Sequence, residues 1–156
     1  MPERTLGIAI AEVRFAIEFG SLNERFWQRL DTTFNVVQCL FGMLALAGVF
    51  SLHEALLAIA GTVIAVISAL QLTLRPLQTS IEFRDARRKF QDLNRRVALL
   101  TLTEIDGELE DLRREAPHGL HALERPAFNR VNERHHGDQA IVEPLNWREK
   151  FAVAMA

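Results

Sequence analysis

The sequence lacks the features that disulfide-stabilised domains, enzymes and nucleic-acid-binding proteins require. Its single cysteine, Cys39, has no partner for an internal disulfide and lies among apolar residues, as a small packing residue does. It contains no phosphate-cradling glycine loop, no HExxH zinc motif and no nucleophile elbow, so we expect no enzyme activity and no cofactor. A formal net charge of -2 over 156 residues gives no sign of a nucleic-acid-binding surface.

The histidines do not predict a metal site. His118 and His121 have the spacing of one helix face, and His135 and His136 are neighbours. Adjacent residues on a helix cannot point the same way, and no cysteine lies nearby to supply a thiolate ligand. We therefore interpret these side chains as solvated and expect no bound metal.

Charge is missing from one long stretch of the chain. Glu54 is the only charged residue between Phe34 and Leu74, although charged residues make up 24% of the whole sequence. The stretch divides into two apolar runs, 34–52 and 55–74, each about 20 residues long, which is enough to cross about 30 Å of hydrocarbon. Buried helices of a soluble bundle normally carry polar residues on an outer face, and a signal peptide is a single run nearer the N-terminus. The pattern therefore predicts a membrane-spanning helical hairpin.

Basic residues flank the two runs and are absent between them. Four arginines precede the first run, and the residues after the second run include a basic group that we expect beside anionic lipid headgroups: Arg75, Arg84, Arg87, Arg88 and Lys89. Because Lys and Arg accumulate on the cytoplasmic side of membrane proteins, we predict that both termini are cytoplasmic, in the inner membrane of a bacterium. The turn containing His53 and Glu54 then reaches the opposite side.

Small residues recur at helical spacing inside the predicted hairpin. Helices in a bilayer associate through close backbone approach, which small side chains permit. The predicted packing seam consists of Gly42, Ala45 and Gly48 on the first span and Ala58, Gly61, Ala65 and Ala69 on the second.

The few polar residues of the spans have two interpretations. They are uncharged, and the candidates are Asn35, Gln38, Thr62, Ser68 and Gln71. They either line an aqueous pore built from several copies or form hydrogen bonds that hold the hairpin together. The sequence favours neither interpretation.

The rest of the chain predicts helices outside the membrane. Residues 1–33 form amphipathic helices, with a break at Gly20 and Ser21 and a capping box from Ser21 to Glu24. Residues 75–116, with Pro76 at the exit of the second span, form one long helix that packs against the upstream helix or else against neighbouring subunits. Its basic half lies beside the membrane, and its acidic half projects into the cytosol. Residues 117–156 form short helices and an amphipathic tail that docks on the others. The fold class is an all-α, oligomeric membrane protein.

Two segments resemble a known group of membrane proteins. The amphipathic LNERFWQRLDTTF, the tight hairpin, Pro76 and the helix IEFRDARRKFQDLNRRVALLTLTEIDGELEDLRRE resemble the SLATT group, the SMODS and SLOG-associating two-transmembrane effectors. The stretch HALERPAFNRVNERHHGD is also similar to the tail of small prophage-borne membrane proteins. The resemblance covers roughly 21–138 and implies an oligomeric effector that opens a pore during defence against phage. It carries over no catalytic residue, and a trigger would come from a separate cytoplasmic protein or from assembly itself.

Three functions are consistent with this layout. The first is a homo-oligomeric pore or channel gated by its cytoplasmic helices, because two spans cannot enclose an aqueous path alone. The second is a structural or scaffold protein that uses the hairpin as an anchor and presents its helices to a partner. The third is a holin-like lysis protein, for which the cytoplasmic part is large.

Overall fold

The structure is a computed structural model that describes residues 4–51, 54–137, 140 and 142–156, without the side chains of 49–51 and 136. Six α-helices follow one another through these ranges: α1 (Leu6–Ser51), α2 (Glu54–Leu74), α3 (Pro76–Arg96), α4 (Leu102–Glu115), α5 (Glu124–His136) and α6 (Trp147–Met155). Short 3-10 turns cover Val97–Leu99 and His121–Leu123. The described ranges contain no strand, so the all-α prediction is confirmed.

Helix α1 is a single helix of 46 residues, about 70 Å long. The break predicted at Gly20 and Ser21 is wrong, because Gly20 serves as a contact point for α3. A Cβ atom on Gly20 would lie 3.3 Å from the Cβ of Arg87. The predicted capping box is also absent, since Glu24 pairs with the Arg87 side chain at 2.9 Å.

The second half of α1 packs along α2, and together residues 34–51 and α2 form what we call the hairpin. Its large apolar side chains point outward, and Leu40, Met43 and Leu46 are each more than half exposed. The most apolar 18-residue stretch of α1 contains no buried residue, unlike the core helix of a soluble protein. Both helices are long and apolar enough to cross a membrane. Residues 52 and 53, which belong to the predicted turn, lie outside the described residues, so the predicted position of His53 on the opposite side of the membrane stays a prediction.

The junction between α2 and α3 depends on Arg75 and Pro76. Arg75 has a left-handed backbone with φ 46° and ψ 53°, a conformation that costs a non-glycine residue about 1–2 kcal/mol. Pro76 then occupies the first turn of α3, where its missing N–H is no loss. The junction redirects the chain so that α3 packs against the first half of α1, which confirms the predicted pairing of these two segments.

The long helix expected over 75–116 is two helices that fold back on each other. Helix α3 ends at Arg96, Leu100 is extended, and Thr101 caps α4 through a capping box with Glu104. Ion pairs then join Arg96 to Glu108 at 2.8 Å and Lys89 to Glu115 at 2.6 Å. The acidic half therefore does not project away from the basic half but neutralises it within one chain.

The remaining residues, 4–33 and 76–156 as far as described, form what we call the head. Its core has two clusters. One joins α1, α3 and α4 through Ala9, Val13, Phe90, Leu93, Ile105 and Leu109. The other joins α1, the second 3-10 turn, α5 and α6 through Leu22, Leu123, Ala127, Ala152 and Ala156. Helix α1 contributes to both clusters and to the hairpin, so it connects every part of the molecule.

The C-terminal tail docks on the head, as predicted, but through an unexpected face. Ala152 and Ala156 are buried against Leu22, whereas Trp147 and Phe151 are 74% and 62% exposed. Small side chains allow α6 to approach α1 closely, and bulky ones on the same face would hold the two helices apart.

Candidate functional site

The polar side chains of the hairpin bond mostly to one another. Gln38 donates from Nε2 to Oγ of Ser68 at 3.1 Å, across the two helices. Nearer the head, Gln71 donates from Nε2 to Oδ1 of Asn35 at 3.1 Å. Four of the five predicted pore-lining residues therefore form two hydrogen-bonded rungs within one chain. This arrangement corresponds to the second interpretation of the sequence, in which hydrogen bonds hold the hairpin together.

Thr62 is the exception among the five. Its side chain is exposed on α2, and its hydroxyl donates to the backbone oxygen of Ala58 at 2.8 Å. This bond satisfies the hydroxyl within its own helix, so Thr62 presents its methyl group to the surroundings without an open polar requirement.

The predicted small-residue seam is correct on α1 only in part. A Cβ atom on Gly48 would lie 3.2 Å from Cγ of Leu57, so Gly48 is a point of close approach between the helices. Ala45 is half-buried beside it, whereas a Cβ atom on Gly42 would meet nothing within 4 Å.

On α2 the predicted seam faces outward. All four residues of the predicted seam on α2 are exposed: Ala58, Gly61, Ala65 and Ala69. Ala60 is the buried small residue of α2, and Ile64 and Ile67 are half-buried on the same side. Larger apolar side chains therefore fill the seam, and the small residues form a separate face, which we call the outer small face.

The predicted membrane-surface basic group is largely paired within the head. Arg87 forms an ion pair with Glu24, Lys89 donates a hydrogen bond to Glu115, and Arg84 and Arg88 lie within 4 Å of Asp85. Arg75 alone is exposed at the end of α2 with no ion pair among the described residues. All of these pairs except Arg87–Glu24 are exposed enough to exchange partners, but they reduce the charge available to lipid headgroups.

An apolar cleft opens between α1, α3 and the end of α4. Its volume is about 400 Å³, and four phenylalanines line it: Phe15, Phe19, Phe83 and Phe90. Ala86 lies on its α3 wall, and Arg113 and His118 lie at its edge. The sequence shows these phenylalanines at helical spacing, which predicts a core, and gives no signal that α4 ends short of covering them.

In the part of the chain that the structure describes, no group of three or more His, Cys, Asp or Glu side chains is placed to hold a metal ion. His135 contacts Arg14 on α1 and is not close to His118 or His121 in any such group.

A scan against protein-family models and searches of curated proteins and of solved structures give no match for this chain. The resemblance to the SLATT group therefore stays a prediction from the sequence.

Proposed function

We propose that this chain is a two-span membrane protein that anchors its helical head at one membrane surface and presents it to a partner protein. One observation carries the proposal: most polar side chains of the hairpin bond across its two helices or to the backbone of their own helix, and the large side chains of its outer surface are apolar. The large exposed side chains there are Val36, Leu40, Met43, Leu46, Ile59, Val66, Leu70, Leu72 and Leu74. Such a surface is stable in lipid and aggregates in water.

The charge pattern supports placing the head in the cytoplasm. The Lys and Arg residues of the chain lie in the head, apart from Arg75 at its junction with the hairpin, and the hairpin between Phe34 and Leu74 has none. In this orientation the exposed Arg75 lies at the inner surface of the bacterial cytoplasmic membrane, within reach of anionic headgroups.

The apolar cleft is the surface of the head best suited to a partner. Helical proteins commonly bind by inserting apolar side chains into such a groove. Its volume of about 400 Å³ is within the range of ligand pockets and leaves room for apolar side chains of a partner helix. The resemblance to effectors that respond to a separate trigger is consistent with an occupant from another protein.

Site-specific crosslinking tests this proposal. A photo-crosslinking amino acid at Ala86, inside the cleft, should form an adduct of one defined mass in native cells. The matched control is Ala98, which is exposed in the first 3-10 turn and outside the cleft lining. Adducts that are equally abundant at both positions, or absent at Ala86, would contradict the partner site.

The outer small face supports a second candidate function, a homo-oligomeric pore. Small residues let helices from neighbouring copies approach closely, and this face is not used within the chain. The resemblance to SLATT effectors implies the same activity. In this assembly the outer small face joins copies, and the rungs of Gln38 and Asn35 rearrange to line the path.

Dye release from liposomes separates the two candidates. A pore predicts release of a small dye, loss of release in Gly61→Leu, and altered release in Gln38→Leu. Met43→Leu is the matched control, because Met43 is 58% exposed on α1 and the change keeps its volume. Vesicles that stay intact at saturating protein would reject the pore and leave the anchored head as the function.

A further inference from the structure

A second cleft, which we call the arginine cleft, separates α5 from α1 and α3. Its volume is about 550 Å³, within the range of small-molecule sites. The charged side chains on its walls come from all three helices: Glu18, Arg25, Arg87, Arg130, Glu133 and Arg134. Four cations against two anions give the lining of this cleft a net positive charge.

Two of the four guanidinium groups already have partners. Arg87 pairs with Glu24 at 2.9 Å, and Arg134 pairs with Glu18, a carboxylate whose side chain is only 10% exposed. These two ion pairs connect α3 and α5 to α1, so they fix the walls of the cleft rather than its contents.

The other two guanidinium groups have no partner among the described residues. Arg25 is exposed on α1, and Arg130 is half-buried on α5. The half-buried guanidinium group of Arg130 loses part of its water shell without gaining an acceptor, which is destabilising. An anion between α1 and α5 would supply that acceptor to both residues at once.

From this geometry we propose that the cleft binds the phosphate group of a ligand through Arg25 and Arg130. The planar guanidinium group presents paired N–H donors that match phosphate oxygens, and two such groups can hold one phosphate from two sides. The hydroxyl of Ser21 and the amide of Gln91 also line the cleft and offer further donors. A phosphate or pyrophosphate group offers more oxygens and more negative charge to two guanidinium groups than a single carboxylate does, whereas the carboxylate of Glu133 opposes the binding of any anion.

The position of the cleft favours a soluble ligand over a lipid. Arg25 precedes Phe34, where the apolar run begins, by nine residues, or about 13 Å along α1. The headgroup layer extends only about 5–8 Å beyond the hydrocarbon on each side. The proposal concerns the head alone, and its binding test does not depend on how the hairpin functions.

Calorimetric titration of the full chain in a neutral detergent tests the site, with inorganic pyrophosphate as the probe. Arg25→Gln and Arg130→Gln should each weaken pyrophosphate binding about tenfold or more, because each removes a charge-assisted hydrogen-bonding group. Glu133→Gln should strengthen binding about two- to fivefold, because it removes the opposing charge.

The matched control is Arg95→Gln, which removes an equal charge from an exposed position on α3 outside the cleft. It should leave pyrophosphate affinity unchanged, and helix content measured by circular dichroism should be the same in all four variants. Equal binding by the native chain, Arg25→Gln and Arg130→Gln would overturn the proposal, as would no binding at all. A loss in Arg95→Gln as large as in Arg130→Gln would show general charge attraction and would also overturn it.

Nanodiscs distinguish the two sources of a phosphate group. If the ligand is soluble, pyrophosphate binds equally in phosphatidylcholine and phosphatidylglycerol nanodiscs. If a lipid headgroup occupies the cleft, phosphatidylglycerol weakens pyrophosphate binding to the native chain and not to Arg130→Gln. Either pattern supports the phosphate site, whereas inhibition by phosphatidylglycerol that persists unchanged in Arg130→Gln contradicts it.

Discussion

At the scale of single residues, the loop after α4 is held by two contacts with α1. Asn23 is fully buried and bonds at both ends: its Nδ2 donates to the backbone oxygen of Phe19, and its Oδ1 accepts from the backbone N–H of Leu120. Beside it, the ring of Phe19 packs directly on Gly119. The apolar cleft therefore keeps its shape because one amide and one glycine fix its edge.

Gly119→Ala should destabilise the head by about 1–3 kcal/mol. A Cβ atom there would lie 2.2 Å from Cζ of Phe19, so the ring or the loop must move. The matched control is Gly107→Ala in α4, where a Cβ atom meets nothing within 4 Å, and alanine should stabilise the helix by up to about 1 kcal/mol. Denaturant unfolding in detergent, followed by circular dichroism, measures both changes, and a smaller loss at Gly119 than at Gly107 would contradict the packing.

At the scale of elements, the return of α4 along α3 depends on charges and a cap. The hydrogen bond from Lys89 lowers the pKa of the Glu115 carboxyl. Hydrogen bonds from the backbone N–H and the hydroxyl of Thr101 lower the pKa of the Glu104 carboxyl at the start of the same helix. Both carboxylates therefore stabilise the packing of α4 against α3 while they are ionised.

This pair of shifts predicts a loss of stability in acid. A carboxyl whose pKa is lower in the folded state stabilises that state fully when the pH is above the pKa of the unfolded state, about 4.5. This stabilisation disappears as the pH falls through the pKa of the folded state. Between pH 6 and pH 3.5, the melting temperature of the native chain should therefore fall more than that of the double variant Glu104→Gln, Glu115→Gln. Glutamine keeps the capping geometry at residue 104, so the variant should still fold.

The control for this prediction is Asp111→Asn, which removes an exposed carboxylate with no ion pair among the described residues. It should follow the native chain between the two pH values. An equal fall in the melting temperature of the native chain and of the double variant would show that these two carboxylates do not stabilise the packing of α4 against α3.

The elements also show how far the sequence determines this fold. The two apolar runs predict both helices of the hairpin, because their length and lack of charge leave few alternatives. The break at 97–101 leaves two signals in the sequence, since Thr101 and Glu104 have capping-box spacing and the apolar pattern changes phase between Leu100 and Leu102, but the charged residues on both sides resemble one long helix. Gly20 is misleading for the opposite reason: glycine predicts a break, yet here it allows close helix packing.

The site was harder to predict than the elements. Residues 58, 61, 65 and 69 have the spacing of a helix face, and so do 60, 64 and 67 beside them. Spacing identifies a face but not which neighbour it contacts, and the structure places the second set against α1. The arginine cleft requires α1, α3 and α5 to meet, and no local pattern predicts where three distant segments meet.

At the scale of the whole molecule, α1 couples the hairpin to the head because it is one unbroken helix through both. A rotation or tilt of α1 in the membrane moves the walls of both clefts, since α3, α4, α5 and α6 all pack on its first half. Ligand in the arginine cleft or a partner in the apolar cleft would in turn bias the orientation of the spans. This coupling is useful only if the hairpin crosses the membrane with the head on one side.

Cysteine labelling tests that arrangement directly. After Cys39→Ala removes the only native thiol, Glu54→Cys places a thiol at the start of α2, and Ala98→Cys places one on the exposed surface of the head. In bacterial spheroplasts, a membrane-impermeant maleimide should label Glu54→Cys before lysis and Ala98→Cys only after lysis. Labelling of Ala98→Cys alone before lysis would place the head outside the cell, and labelling of neither before lysis would mean that the hairpin does not reach the far surface. Release of the chain by alkaline carbonate would contradict insertion itself, because two uncharged spans of about 20 residues cannot leave the bilayer without exposing their apolar surface to water.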